Sequence, residues 1–144
     1  MTEAVVTRVM PAPPELVYDE WLDPDALADW MCPRPAYPTG LLCEPWVGGE
    51  LRIDINDPDQ GGAMTVTGRY LGLDRPRRLS FTWWCTTWPA RTPPSVVTVT
   101  FEPYGDGQTL MTIRHSQLDP ALRDQHQRGW EAIADQLAQA LPRR

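Results

Sequence analysis

His115 and His126 are the only histidines in the chain, and they are the side chains best suited to proton transfer near neutral pH. His115 ends the alternating run Met111, Ile113, His115. His126 falls on a helical stripe one turn before Gly129-Trp130. Both side chains are therefore predicted to face inward. Two neutral imidazoles in one cavity can serve as base and acid. The plain alternative is that each is a hydrogen-bonded packing residue. Glu44, just ahead of Gly48-Gly49, is a further candidate for a pocket rim, although such a carboxylate is more often solvated or paired with arginine. The Gly-Gly pair is too short to cradle a phosphate and reads as a strand-opening turn or bulge.

Other chemistries find no support. Cys32, Cys43 and Cys85 are odd in number and far apart, so they suggest neither a disulfide framework nor a CxxC metal pair. They read as small hydrophobes in a reduced cytoplasmic protein. All 13 basic residues are arginine, which excludes lysine Schiff-base and P-loop chemistry. No HExxH, GxSxG or GxGxxG motif occurs, and neither a metal nor a cofactor is expected. A net charge of −6 without a basic run argues against nucleic acid and anionic membranes as partners. No stretch approaches the roughly 18 apolar residues of a membrane span. The N-terminus shows no signal-peptide pattern.

The elements that must position the histidines can be read from periodicity. Residues 3–10 form a first or edge strand. Pro13-Pro14 and Asp23-Pro24 open two short helices, at about 14–22 and 24–30. Residues 31–43, with three prolines, read as irregular. WVGGELRIDI alternates cleanly, and NDPDQGG at 56–62 is turn chemistry. AMTVTGRYLGL and LSFTWWCTTW follow as strands. A hairpin then folds around Gly105-Asp106-Gly107, with Val97, Val99 and Phe101 inward on its first arm. Asp119-Pro120 opens a long helix. Leu122, His126, Trp130, Ile133, Leu137 and Leu141 form its apolar stripe. Gly129 interrupts the helix at a cost of about 1 kcal/mol relative to alanine, which suggests a close approach. The chain reads as one domain, 1–144, of α+β class: an antiparallel sheet curved around one long C-terminal helix, with two short helices after the first strand.

FTWWCTTWPA, residues 81–90, places Phe81, Trp83 and Cys85 on the core face. On a threonine-rich outer face it leaves Trp84 and Trp88. These two are either anchors of a homodimer interface or, folded back through the PARTPP loop, a lid.

Five segments carry a family resemblance. They are PxxLVYxxWxDPxxLxxW at 13–30, VGGELR at 47–52, GRYLxLDRPRRLSFTW at 68–83, VTVTFEPYGDGQTLMTIRH at 97–115 and HxxGWxxIxxQL at 126–137. In that order the chain resembles the SRPBCC, or START-like, helix-grip superfamily. It is most similar to its heat-shock-protein ATPase activator-like family. None of the segments is a catalytic signature. The chain departs from the pattern at Trp46, where arginine is frequent, and in its Trp- and Pro-rich 83–94 stretch. The resemblance implies a hydrophobic tunnel between helix and sheet. It also implies histidine at both positions, which favours packing roles.

The expected function is non-catalytic binding of a small apolar or aromatic molecule. The expected lining is Trp21, Trp30, Tyr37, Trp46, Trp83, Met111, His115, His126 and Trp130. A cyclase- or dehydratase-type enzyme acting on a polyketide-like substrate is the first alternative. A co-chaperone-like interaction module is the second.

Overall fold

Alternating apolar residues along the chain need a partner surface on one side only, and an antiparallel sheet with one covered face supplies it. The computed structural model describes residues 1–144. Its elements run β1 (Thr2–Met10), α1 (Pro14–Glu20), α2 (Pro24–Trp30), β2 (Tyr37–Cys43), β3 (Glu50–Asp57), β4 (Gly62–Asp74), β5 (Arg78–Cys85), β6 (Ser95–Tyr104), β7 (Gln108–Leu118) and α3 (Arg123–Ala140). The seven strands pair in the order β1-β7-β6-β5-β4-β3-β2. From β2 to β7 the sheet is a meander. β1 joins at the far edge beside β7. This is the helix-grip architecture, with the sheet curved around α3.

The proline signals mark real starts. Asp23 accepts a hydrogen bond from the Asp25 amide at 2.9 Å, with Pro24 as the first residue of α2. Asp119 likewise accepts from the Ala121 amide at 2.9 Å. It opens a 3-10 turn over Pro120–Leu122, and α3 proper begins only at Arg123.

Residues 31–43 are not wholly irregular as expected, because 37–43 form the edge strand β2 against β3. Pro38 hides this strand in the sequence, yet a strand edge tolerates a missing N–H. β3 starts at Glu50 and not at Trp46. Residues 44–49 instead make a tight turn in which Gly48 N donates to the Tyr70 carbonyl at 2.8 Å and Gly49 O accepts from Tyr70 N at 3.0 Å. A Cβ on Gly49 would strike the Glu44 carbonyl, so only glycine fits this approach. The Glu44 carboxylate accepts from the Glu50 amide at 2.8 Å and closes the same turn.

The inward residues of the hairpin are fully buried, Val97, Val99, Phe101, Met111, Ile113 and His115 among them. Trp130, Ile133, Leu137 and Leu141 of the helical stripe pack into the same core. Gln136 ties α3 to the segment after α2. Its Nε2 donates to the carbonyls of Trp30 (3.1 Å) and Cys32 (2.8 Å), and its Oε1 accepts from Arg34 N at 3.0 Å. No helix is long and apolar enough to cross a membrane.

Candidate functional site

The two histidines meet where β7 faces the first turns of α3. Their rings stand edge to face with centroids 5.1 Å apart, but their chemical situations differ. Trp130 Nε1–H donates to His115 Nδ1 at 2.9 Å. That bond places the imidazole proton on Nε2, which donates to Ser95 Oγ at 2.7 Å. The Ser95 hydroxyl in turn donates to the Trp83 carbonyl at 2.9 Å. Every polar atom of His115 is thus engaged, and its side chain is fully buried. Burial, with a smaller contribution from the neighbouring His126, depresses its pKa to about 2.

His126 is half-buried. A carbonyl can only accept, so its 2.9 Å contact with Leu122 O makes Nδ1 the protonated nitrogen. Nε2 then carries a lone pair and has no protein partner. Burial lowers the His126 pKa, and the bond to Leu122 opposes that shift only in part. His126 is neutral at physiological pH, with its acceptor nitrogen fixed by the helix backbone.

Beside His126 lies a cavity of about 370 Å³ between sheet and helix. α3 contributes Leu122, Gln125, His126, Gly129, Trp130 and Ile133. The sheet contributes Ile53, Ile55, Met64, Val66, Trp83 and Cys85. Met31, Pro33 and Ala36 close it from the segment after α2, and Thr87, Trp88 and Pro89 close it from the loop after β5. Asp57 and Gln60 add polar groups from the β3–β4 turn. Asp57 is the only charged side chain in this lining.

Of the nine expected lining residues, Trp83, His126 and Trp130 reach the cavity. Trp21, Trp30 and Met111 lie in the core, outside the lining, and His115 is buried beside them. Trp21 packs on Trp130 with ring centroids 6.2 Å apart, and Trp83 on Trp130 at 5.1 Å. Tyr37 and Trp46 are elsewhere. Tyr37 is exposed on edge strand β2, where its hydroxyl accepts from Asn56 Nδ2 at 2.6 Å. Trp46 is exposed on the β2–β3 turn. Their positions on an edge strand and a turn tip keep both out of the cavity lining.

Trp88 is not on the outer face. β5 stops at Cys85, so strand alternation no longer applies at residue 88. The ring turns inward, is buried, and stands edge-on to His126 with centroids 5.7 Å apart. Trp84 does stay on the outer side, but its Nε1 donates to the Thr92 carbonyl at 2.9 Å and the loop half covers it. The lid arrangement is the one present for Trp88. Gly129 also differs from expectation. A Cβ there would meet only Pro33 Cγ, at 3.9 Å, so this glycine leaves room in the cavity and does not admit a close neighbour.

The family model described as activator of Hsp90 ATPase homolog 1-like protein matches residues 11–142. The chain belongs to that family. No curated protein matches it. Among solved structures, one protein from Chromobacterium violaceum is 28% identical with a TM-score of 0.83, covering 96% of each chain. One from Mesorhizobium loti is 27% identical with a TM-score of 0.77, covering 99% of this chain and 98% of that one. The AHSA1 protein of Silicibacter pomeroyi is 21% identical, has a TM-score of 0.84 and covers 98% of each chain. The last comparison speaks to the fold alone. Within this activator-like family fold, the cavity occupies the space between sheet and C-terminal helix that the resemblance implied. Part of its wall is built by Thr87, Trp88 and Pro89 of the Trp- and Pro-rich loop after β5.

The sequence did not single out Met31, Pro33, Met64, Gln125 or Asp57 as lining. Ile53, Ile55 and Ile133 were legible as inward-facing, but periodicity cannot distinguish a core wall from a cavity wall.

Proposed function

We propose that this protein binds a small apolar or aromatic molecule in the cavity between sheet and α3, without catalysing its conversion. The observation that carries this reading is the mostly apolar cavity of about 370 Å³. Its size and lining suit a small organic molecule, since ligand sites are commonly apolar hollows of roughly 300–1,000 Å³ with a few polar points. An acid–base reaction would ask for a second proton-transfer group beside His126. The imidazole packed against it, His115, has both ring nitrogens engaged with Trp130 and Ser95.

Titration with Nile red, an uncharged fluorescent dye, tests the reading. Near-stoichiometric binding is expected for the native protein. Gly129→Leu should weaken it by about tenfold or more, because the new side chain enters the cavity from a helix position that accepts a Cβ. Failure of the folded native protein to bind, or equal binding by Gly129→Leu, would sink the proposal. Native mass spectrometry of protein purified from its own host should report a bound small molecule.

A further inference from the structure

The polar groups of the cavity are unevenly matched. His126 presents Nε2 as a lone-pair acceptor, because the Leu122 carbonyl holds the proton on Nδ1. Three buried side-chain donors and hydroxyls, Trp21 Nε1, Tyr70 Oη and Trp83 Nε1, are sealed and unpartnered, but His126 Nε2 is not among these sealed atoms. It has no protein partner and borders open space, in a residue that lines the cavity. The second fixed polar group is the Asp57 carboxylate. One of its oxygens accepts from the Asp59 amide at 3.0 Å. A carboxylate offers several acceptor positions and no donor. None of the 13 arginines lines the cavity. Gln60, Gln125 and Thr87 can each give or take a hydrogen bond. Two of the groups with fixed roles are therefore acceptors, one of them negatively charged, set among the indoles of Trp83, Trp88 and Trp130; the neutral indole N–H of Trp88 is a fixed donor without a protein partner.

We infer that the ligand is an aromatic alcohol or amine, uncharged or cationic, that donates its O–H or N–H to His126 Nε2, and that the cavity rejects carboxylates. This rests on the cavity-binding reading above. A carboxylate would bring an acceptor to an acceptor and a negative charge toward Asp57, with no cation to pair it. A donor satisfies Nε2, which is otherwise left without a protein partner inside an apolar wall.

Four bicyclic probes of one size class test it by calorimetry at neutral pH: naphthalene, β-naphthol, its methyl ether and β-naphthoate. β-Naphthol should bind about fivefold tighter than its methyl ether, the worth of one net hydrogen bond. β-Naphthoate should bind more weakly than naphthalene. In the His126→Phe variant the naphthol advantage should vanish while naphthalene binding persists. The comparison of naphthol with its ether needs no variant, so a misfolded substitution does not remove the test. If naphthalene binds but naphthol shows no advantage over the ether, or naphthoate binds tightest, this inference is overturned and cavity binding stands. If none of the four binds the folded protein, both readings fall together.

Discussion

At the residue scale, the two histidines show how the same side chain is assigned opposite tasks by its neighbours. His115 is a structural member of the chain Trp130–His115–Ser95–Trp83, with its tautomer set at one nitrogen by an indole donor. The sequence correctly placed both rings inward, because strand and helix periods report direction. It could not say which ring nitrogen would be free, since that depends on Ser95 and Trp130, distant in the chain. The buried, neutral state of His115 has a consequence for stability. Its folded pKa of about 2 lies below the unfolded value, so the unfolded chain binds the proton first as pH falls. This stabilisation is complete above the unfolded pKa of about 6.5 and is lost progressively below it. Between about pH 6.5 and pH 5 a single histidine of this kind should lower stability by about 2 kcal/mol. Urea unfolding across that range should show a steeper pH dependence for the native protein than for His115→Gln. Equal slopes would mean that His115 takes up a proton in the folded state.

At the scale of elements, α3 is both the core's apolar wedge and a bracket for the segment that closes the cavity. Gln136 meets three backbone groups of residues 30–34 with one amide. Met31, Pro33 and Ala36 line the cavity in consequence. Gln136→Leu keeps the volume but strands two buried carbonyls and an amide. The expected cost is about 2–3 kcal/mol, with faster hydrogen exchange at Arg34 N reporting release of the segment. Unchanged exchange at Arg34 would show that the segment is held by its apolar contacts alone. Nothing in the sequence marks Gln136 for this task. It lies in a helix whose apolar stripe was legible, but its partners come from a proline-rich stretch that carries no period. The same lack of period concealed β2, where Pro38 is acceptable only because the strand is an edge. By contrast β3 to β7 alternate cleanly, and apart from β2 the order of strands, short helices and long helix was legible.

At the scale of the whole molecule, the 86–94 loop decides whether its tryptophans serve the cavity or a partner chain. The dimer expectation required Trp84 and Trp88 to form one bare apolar patch. Trp88 is instead 8% exposed and packs on His126. Trp84 is tied by its indole N–H to the Thr92 carbonyl of the same loop. The loop thus covers its own tryptophans, and a second copy is not needed to hide them. The same loop borders a smaller hollow of about 310 Å³, lined by Trp88, Pro89, Arg91 and Gln117 among others. Trp88 and Pro89 border both spaces, so Trp88 acts as a partition. Removing it should open the cavity to the second hollow and to water, which would weaken burial of an apolar guest. The double change Trp84→Ser, Trp88→Ser should therefore lower Nile red affinity by about tenfold, a loss comparable to the burial of one or two methylene groups. Its sedimentation behaviour should match that of the native protein. If the native protein sediments as a dimer and the double variant as a folded monomer with dye affinity intact, the loop belongs to an interface and Trp88 must rearrange on association.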